Sequence, residues 1–354
     1  MIGTGIFKLT KTKNSKLASV DMDHLPFGKY FTDHMLEVNY ERGEWGEVEI
    51  KPYQPISFDP SLSALHYGQA IFEGIKAYKN KEGEIFIFRP EDNFRRFNIS
   101  AERLEMPAVP EEIFIEGMKQ LVKLDEDWIP ERHDLSLYIR PFMFSTDEAI
   151  GVRPSLTYKF LIILSPTGPY YSEPMRIYAE EKYVRAVPGG VGFAKTAGNY
   201  GSSLHPTAEA KRKGYDQILW MDAIEHKYVQ ECGTMNVFFI IGDTAVTPSL
   251  AEGTILAGVT RDSVIELLKE IGLKVEERRL SIDEIMEAYK KGNLREVFGT
   301  GTAATISPIK ELGYKDFVMK FDIDSWEVAP EIKKRMSAIK EGTADDRFGW
   351  MVKV

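Results

Sequence analysis

The sequence is poor in the residues that several functional classes require. Its 354 residues include one cysteine, Cys232, and six histidines. A single cysteine excludes an intramolecular disulfide and suits a reducing compartment. Its neighbours Glu231 and Gly233 offer no base, so it reads as a small buried hydrophobe and not as a nucleophile. Long apolar runs are missing too. The stretches 159–164 and 237–241 have strand length, well short of the about 18 residues a membrane span needs. The beginning of the chain shows neither the apolar stretch nor the small-residue cleavage site of a secretory signal. The expectation is a cytoplasmic protein that does not engage a membrane. Positive charge is not in excess: 45 Lys and Arg stand against 54 Asp and Glu, a net charge of −9. That balance argues against a nucleic-acid partner, and the basic run 8–16 reads as a solvated arm. No internal repeat or low-complexity segment stands out.

What is present is ordinary globular composition, 43% hydrophobic and 28% charged, in a length that suits two domains. Apolar patches over 31–58, punctuated by Gly43, Gly46 and Pro52, predict antiparallel strands. The segments 75–78 and 85–88 flank a turn and predict a hairpin. Pro90 opens a helix to about Leu104. Ile113, Phe114, Met118, Leu121 and Val122 have helical spacing within 111–124, and strands follow at 135–144 and 158–164. The stretch 165–174 is dense in proline and glycine. The expected division is therefore an N-terminal α/β domain at 1–165, an interdomain loop at 166–175 and a C-terminal domain at 176–354. Beyond the loop, strands are predicted at 176–179, 217–221, 228–231, 236–241 and 294–298. Helices are predicted at 203–213, from Thr260 to Gly272, and after Ser281, where Glu284 completes a capping box. Many hairpins among the helices predict mixed sheets, an α+β (mixed α/β) class and not a doubly wound one.

Four places could carry chemistry. Lys195 lies in the glycine-rich stretch 189–203, which holds no other charge. It is either an outward lysine on a turn or a desolvated amine able to attack carbonyls. Glu231 lies in an apolar strand context and needs a partner, either a basic side chain or a protonated pyridine nitrogen. Thr260, after Gly258 and Val259, either caps its helix or helps hold a phosphate at the helix N-terminus. A second small-residue segment, 299–303, could also approach a phosphate closely. Its pattern, with Gly299, Gly301 and Ala304 after a strand, matches a relaxed dinucleotide fingerprint. An NAD(P)-dependent dehydrogenase is thus a rival reading, although Pro308 interrupts the helix such a site needs.

In this order, four strings resemble the class IV (fold type IV) pyridoxal-phosphate aminotransferases, specifically the branched-chain-amino-acid aminotransferases. They are Leu-His-Tyr-Gly-Gln-Ala-Ile-Phe-Glu-Gly at 65–74, Lys-Thr-Ala-Gly-Asn-Tyr-Gly-Ser-Ser at 195–203, Glu-Cys-Gly-Thr-Met-Asn at 231–236 and Gly-Val-Thr-Arg at 258–261. The resemblance extends from Phe27 to Ala303. It implies a two-domain fold, with a smaller N-terminal two-layer α/β domain and a larger C-terminal barrel-like α/β domain. It implies pyridoxal 5′-phosphate on Lys195, with Glu231 at the pyridine nitrogen and Tyr200 at the phenolic oxygen. Arg96, Val259, Thr260 and Thr302 would hold the phosphate, with Thr234 also near the cofactor. Substrate walls would come from Phe27, Phe72, Tyr138, Tyr200 and Thr234, and from Tyr67, Ile150 and Val152 of a second subunit in a homodimer. Arg140 would meet the second carboxylate of glutamate, and the backbone at Thr302 and Ala303 would hold the α-carboxylate. The implied reaction moves an amino group between leucine, isoleucine or valine and 2-oxoglutarate, in a ping-pong cycle through pyridoxamine phosphate. No metal is implied. Within the fold, the alternatives are a D-amino-acid aminotransferase and an aminodeoxychorismate lyase. Glu73-Gly74 and the Tyr138/Arg140 pair favour the branched-chain branch. One departure stands out: residues 304–307 are Ala-Thr-Ile-Ser, where animal members carry a Cys-x-x-Cys pair, so thiol regulation of that kind is not expected.

Overall fold

The computed structural model describes residues 7–132, 134–168 and 173–354. Of these, 7–168, 195–198 and 338–354 form one compact unit, and 173–194 with 199–337 form another. The first is built on a sheet of β1 (Phe7–Leu9), β2 (His34–Glu41), β3 (Glu44–Trp45), β4 (Val48–Pro52), β5 (Ala70–Phe72), β6 (Ile75–Lys79), β7 (Ile85–Phe88), β8 (Ser136–Ser145) and β9 (Tyr158–Thr167). Their spatial order is β1-β4-β2-β9-β8-β6-β7, with β3 on β2 and β5 on β8. Helices α1 (Ser63–Tyr67), α2 (Pro90–Arg103) and α3 (Gly117–Leu124) belong to the same unit.

The predicted hairpin is β6 and β7, paired Ala77↔Ile87. Helix α2 starts at the proline, whose missing N–H costs nothing in a first turn. Its buried face carries Asn93, Arg96, Phe97 and Ser100, an amphipathic spacing. Phe97 packs on Phe114 and Phe160, centroids 5.3 and 5.5 Å away, in the main core. The helix predicted over 111–124 begins as a π-helical turn, Glu112–Glu116, before α3. Ile113, Phe114 and Ile115 are all buried, more successive apolar residues than the narrow stripe of an α-helix accommodates.

Two expectations are corrected here. The N-terminal run is not simply a solvated arm: Phe7–Leu9 pairs in parallel with β4, and Lys8 Nζ donates to Glu49 at 2.9 Å. The interdomain loop does not begin at 166, because β9 runs through Pro166 and Thr167 opposite Leu137 and Ser136. Pairing of β9 with β2 ends at Ile163. Beyond it irregular chain replaces β2, with the Thr32 N–H on the Leu164 carbonyl and the Gly168 N–H on the Leu25 carbonyl, and no β2 ladder bond calls for a donor at Pro166. Part of that loop, 169–172, lies outside the described residues.

The chain continues as β10 (Met175–Ala179), α4 (Ala197–Gly201), α5 (Leu204–Arg212), β11 (Gln217–Met221), β12 (Val229–Cys232), β13 (Asn236–Ile241), β14 (Thr244–Thr247), α6 (Val259–Glu270), β15 (Lys274–Glu277), α7 (Ile282–Lys290), β16 (Leu294–Gly301), β17 (Thr305–Tyr314), β18 (Phe317–Lys320) and α8 (Val328–Lys340), all in the second unit except the start of α4, through 198, and the end of α8, from 338. The sheet order in the second unit is β12-β11-β10-β17-β16-β13-β14-β15, with β18 on β17. Parallel pairs at β10–β11, β10–β17 and β14–β15 interrupt antiparallel ones, so this sheet is mixed, as the sequence implies. Ser281 Oγ accepts the Glu284 N–H at 3.1 Å at the start of α7. The other half of the capping box does not form, because the Glu284 carboxylate pairs with Arg278.

After α8 the chain supplies one more strand, β19 (Met351–Lys353), antiparallel to β7 through Met351↔Phe88. The segment 338–354 therefore belongs with the first unit and not with a contiguous 176–354 domain. Strand pairing across that length of chain has no local signature.

Candidate active site

Lys195 is held by its own backbone. Its N–H donates to Ser100 Oγ at 2.9 Å, and its carbonyl accepts the Phe72 N–H at 3.1 Å. Ser100 in turn donates to the Arg96 carbonyl at 3.0 Å, so α2 and β5 together fix where the lysine emerges. The side chain is half-buried, with Nζ 4.8 Å from the centre of the Phe72 ring. Arg96 is buried on the same helix face. Its Nε and Nη2 meet the Glu73 carboxylate at 2.7 and 2.8 Å.

The predicted substrate residues of this unit divide into two groups. Tyr138 and Arg140 share one face of β8, as strand alternation requires, and Arg140 Nη2 donates to Tyr138 Oη at 2.9 Å. The guanidinium also lies 4.6 Å from the Phe72 ring centre, and Phe27 packs edge-on against Tyr138 at 4.8 Å. Arg140 Nε is buried without a hydrogen-bond partner among the described residues. Tyr67, Ile150 and Val152 are not drawn into this cluster and are exposed at 42, 72 and 89%.

In the second unit, Glu231 is buried and forms an ion pair with Arg185 Nε. Its Oε1 also accepts from Leu256 N at 3.2 Å and Asn236 Nδ2 at 3.3 Å. Tyr200, Thr234 and Leu256 line one pocket with Glu231, Arg185 and Asn199. Asn236 reaches the Leu256 carbonyl at 2.9 Å as well, tying the acid to the approach to α6. That helix opens on Gly258, where a Cβ would lie 2.0 Å from Asn236 Oδ1. The N-cap of α6 is Gly258, which has no side chain to cap it; Thr260 sits buried inside the first turn beside Val259, so the capping role open to it in the sequence is not the one observed. Thr302 and Ala303 lie half-buried in the turn from β16 to β17. Burial, with the Glu231 charge beside it, pushes the Cys232 thiol up to about 12, the chemistry of an inert cysteine.

The sequence model described as "Amino-transferase class IV" matches residues 70–312, which takes in Lys195, Arg96, Glu231 and the α6 turn. The chain belongs to the class IV aminotransferases. A probable branched-chain-amino-acid aminotransferase of Staphylococcus aureus (strain N315) is 52% identical over 336 residues, 93% of each chain. The crystal structure of the branched-chain amino acid aminotransferase of Escherichia coli is 27% identical with a TM-score of 0.74, covering 90% of this chain and 98% of that one. That of the archaeon Thermoproteus uzoniensis, determined with norvaline, is 25% identical with a TM-score of 0.74, covering 90% and 99%.

The dinucleotide alternative does not survive in this class IV aminotransferase. After Gly301 the chain turns into β17, antiparallel to β16 through Phe298↔Pro308, and no helix N-terminus follows the glycines. Sequence reasoning also gave no site role to four residues: Glu73, Asn93, Ser100 and Arg185. The α2 periodicity places 93, 96 and 100 on one face, which was a usable signal for two of them. Arg185 pairs with an acid 46 positions on, and nothing local marks it.

Proposed function

We infer that the protein is a homodimeric, cytoplasmic branched-chain-amino-acid aminotransferase. It exchanges the amino group of L-leucine, L-isoleucine or L-valine with 2-oxoglutarate and uses pyridoxal 5′-phosphate on Lys195. The observation that carries this reading is the anchoring of Lys195 on both sides of its backbone, by Ser100 and Phe72. A nucleophile held that way presents one nitrogen in one place. The donor set fits the cofactor: a buried acid, a tyrosine in the same pocket, an uncapped helix N-terminus and a buried arginine. When bound, pyridoxal phosphate supplies the electron sink for charge developing at the substrate Cα.

The protein residues do the rest. The Lys195 amine holds the cofactor and then moves the proton at Cα. Glu231, with Arg185 and Asn236 fixing its carboxylate, holds a proton on the pyridine nitrogen. Tyr200 contacts the phenolic oxygen, and Thr234 lies beside it. The orphan N–H groups at Val259 and Thr260 attract the phosphate, as helix N-termini do, with Arg96 and Thr302 adding donors.

Specificity rests on one pocket that serves two substrates. Phe27, Phe72 and Tyr138 provide the apolar wall for a branched side chain. Arg140 sits within that wall with its buried Nε unsatisfied, a state that costs stability until an acceptor arrives. The second carboxylate of glutamate is such an acceptor. The α-carboxylate is assigned to the backbone of Thr302 and Ala303. Tyr67, Ile150 and Val152 are exposed, together with Leu65 and Leu156, and this apolar surface supports their burial against a second copy. The single Cys232 supports a reducing compartment.

The test is borohydride reduction of the purified protein, followed by peptide mass analysis and half-reactions with L-leucine, D-leucine and L-glutamate. Cofactor fixed on Lys195, with turnover of both L-amino acids, is expected. A colourless protein, or label at another lysine, rejects the reading; reaction with D-leucine alone moves it to the D-amino-acid branch.

A further inference from the structure

Glu73 has no exposed surface, yet four donors converge on its carboxylate. Arg96 gives Nε at 2.7 Å and Nη2 at 2.8 Å, Asn93 gives Nδ2 at 2.8 Å, and the Gly74 backbone gives its N–H at 3.0 Å. Burial pushes this carboxyl up, but the Arg96 charge and hydrogen bonds, followed by the Lys195 charge and Asn93, hold it below the ordinary range. An ion pair this buried gains little net stability over well-packed apolar side chains. Stability alone is therefore a weak reason for it.

Geometry gives a stronger one. A side-on carboxylate uses two of the five guanidinium N–H donors and fixes the plane in which the other three lie. Arg96 is otherwise a long side chain with many rotamers, and ordering it only when a ligand arrives would weaken binding. The same turn of α2 that carries Arg96 also accepts the Lys195 N–H through Ser100, which donates to the Arg96 carbonyl. Phe72, next to Glu73, lies under the Lys195 nitrogen. The guanidinium plane and the lysine are thus referenced to one helix face and one strand.

We propose that Glu73 is a positioning residue for phosphate recognition: it fixes the Arg96 guanidinium so that donors outside the pair meet the phosphate of a cofactor carried on Lys195. This rests on the assignment of Lys195 and Arg96 made above. Glu73 touches neither cofactor nor substrate; it acts through Arg96.

The experiment measures the dissociation constants of the cofactor-depleted, full-length protein for pyridoxal 5′-phosphate and for pyridoxal, which lacks the phosphate. The pyridoxal constant divided by the pyridoxal 5′-phosphate constant isolates phosphate recognition. Glu73→Gln is expected to reduce the ratio about tenfold or more while changing pyridoxal affinity by less than about twofold, the pattern of a supporting residue. Arg96→Met should reduce it at least as far, and Glu73→Gln added to Arg96→Met should do nothing more, because coupled residues are not additive. A wild-type ratio in Glu73→Gln overturns the proposal, as does an equal loss with Arg96 already replaced. Should Glu73→Gln fail to fold, Asn93→Ala removes one support of the carboxylate and should lower the ratio about twofold to fivefold. An unchanged ratio there also overturns it. Failure of the underlying reading looks different: the wild-type protein, or Arg96→Met against it, would show no phosphate preference at all.

Discussion

Among single residues, Lys76 and Lys340 are the least expected. Both are buried on one face of the β6–β7 hairpin, with Lys340 Nζ 4.4 Å from the Phe88 ring centre and 5.8 Å from that of Tyr78. Burial drives the Lys340 amine down to about 7, and the neighbouring Lys76 charge adds to the effect. Burial lowers Lys76 to about 8, partly opposed by Asp134. An unfolded lysine titrates near 10.5. Between about pH 7 and that value the unfolded chain therefore binds more protons than the native one, and stability rises with pH. Below about 7 both states are protonated and the native state carries the whole penalty of a buried charge. Lys340→Met is expected to raise the melting temperature at pH 7 and to flatten its rise toward pH 9, in thermal scans across that range. An unchanged slope would contradict the assignment. Neither lysine is conspicuous in the sequence, since charge alone does not show which side chain a distant helix end will bury.

At the level of elements, strand alternation and helix periodicity were legible because they depend on neighbours. The β6–β7 hairpin, the start of α2 at Pro90, the Ser281 cap and the shared face of Tyr138 and Arg140 all follow from such patterns. What escaped depended on tertiary context. The π-helical turn at 112–116 answers a crowded core, and Pro166 stays in a strand only because β2 has ended beside it. Glycines show the same division. Gly74 reads as one letter of a motif, but a Cβ there would lie 2.2 Å from Tyr138 Oη, which receives the Arg140 hydrogen bond. Gly74→Ala must therefore displace Tyr138 and release Arg140. Its KM for glutamate should rise about fivefold or more while KM for leucine changes less, because overpacking at a rigid site shifts what it touches. Equal changes for both substrates would indicate general disruption instead.

For the whole molecule, the sequence made the family and the mixed-sheet class legible, since long motifs in order carry that information. It did not reveal how the chain is shared between the two units. Assembly is testable at this scale. Val152, at 89% exposure near Ile150, is a poor place for an apolar side chain unless another surface covers it. Val152→Asp is expected to shift sedimentation from dimer toward monomer and to reduce activity about tenfold or more while leaving the Lys195 cluster untouched. A monomeric wild-type protein with full activity would contradict this. The pairing of β19 with β7 also bears on synthesis. A ribosome makes β7 early and β19 only after all of the second unit has been made, so for most of translation the edge of β7 lacks this partner. Unpaired edges recruit other chains. Nascent molecules of this protein are thus exposed to strand-mediated misassembly over a defined interval, which closes when residues 351–353 leave the tunnel.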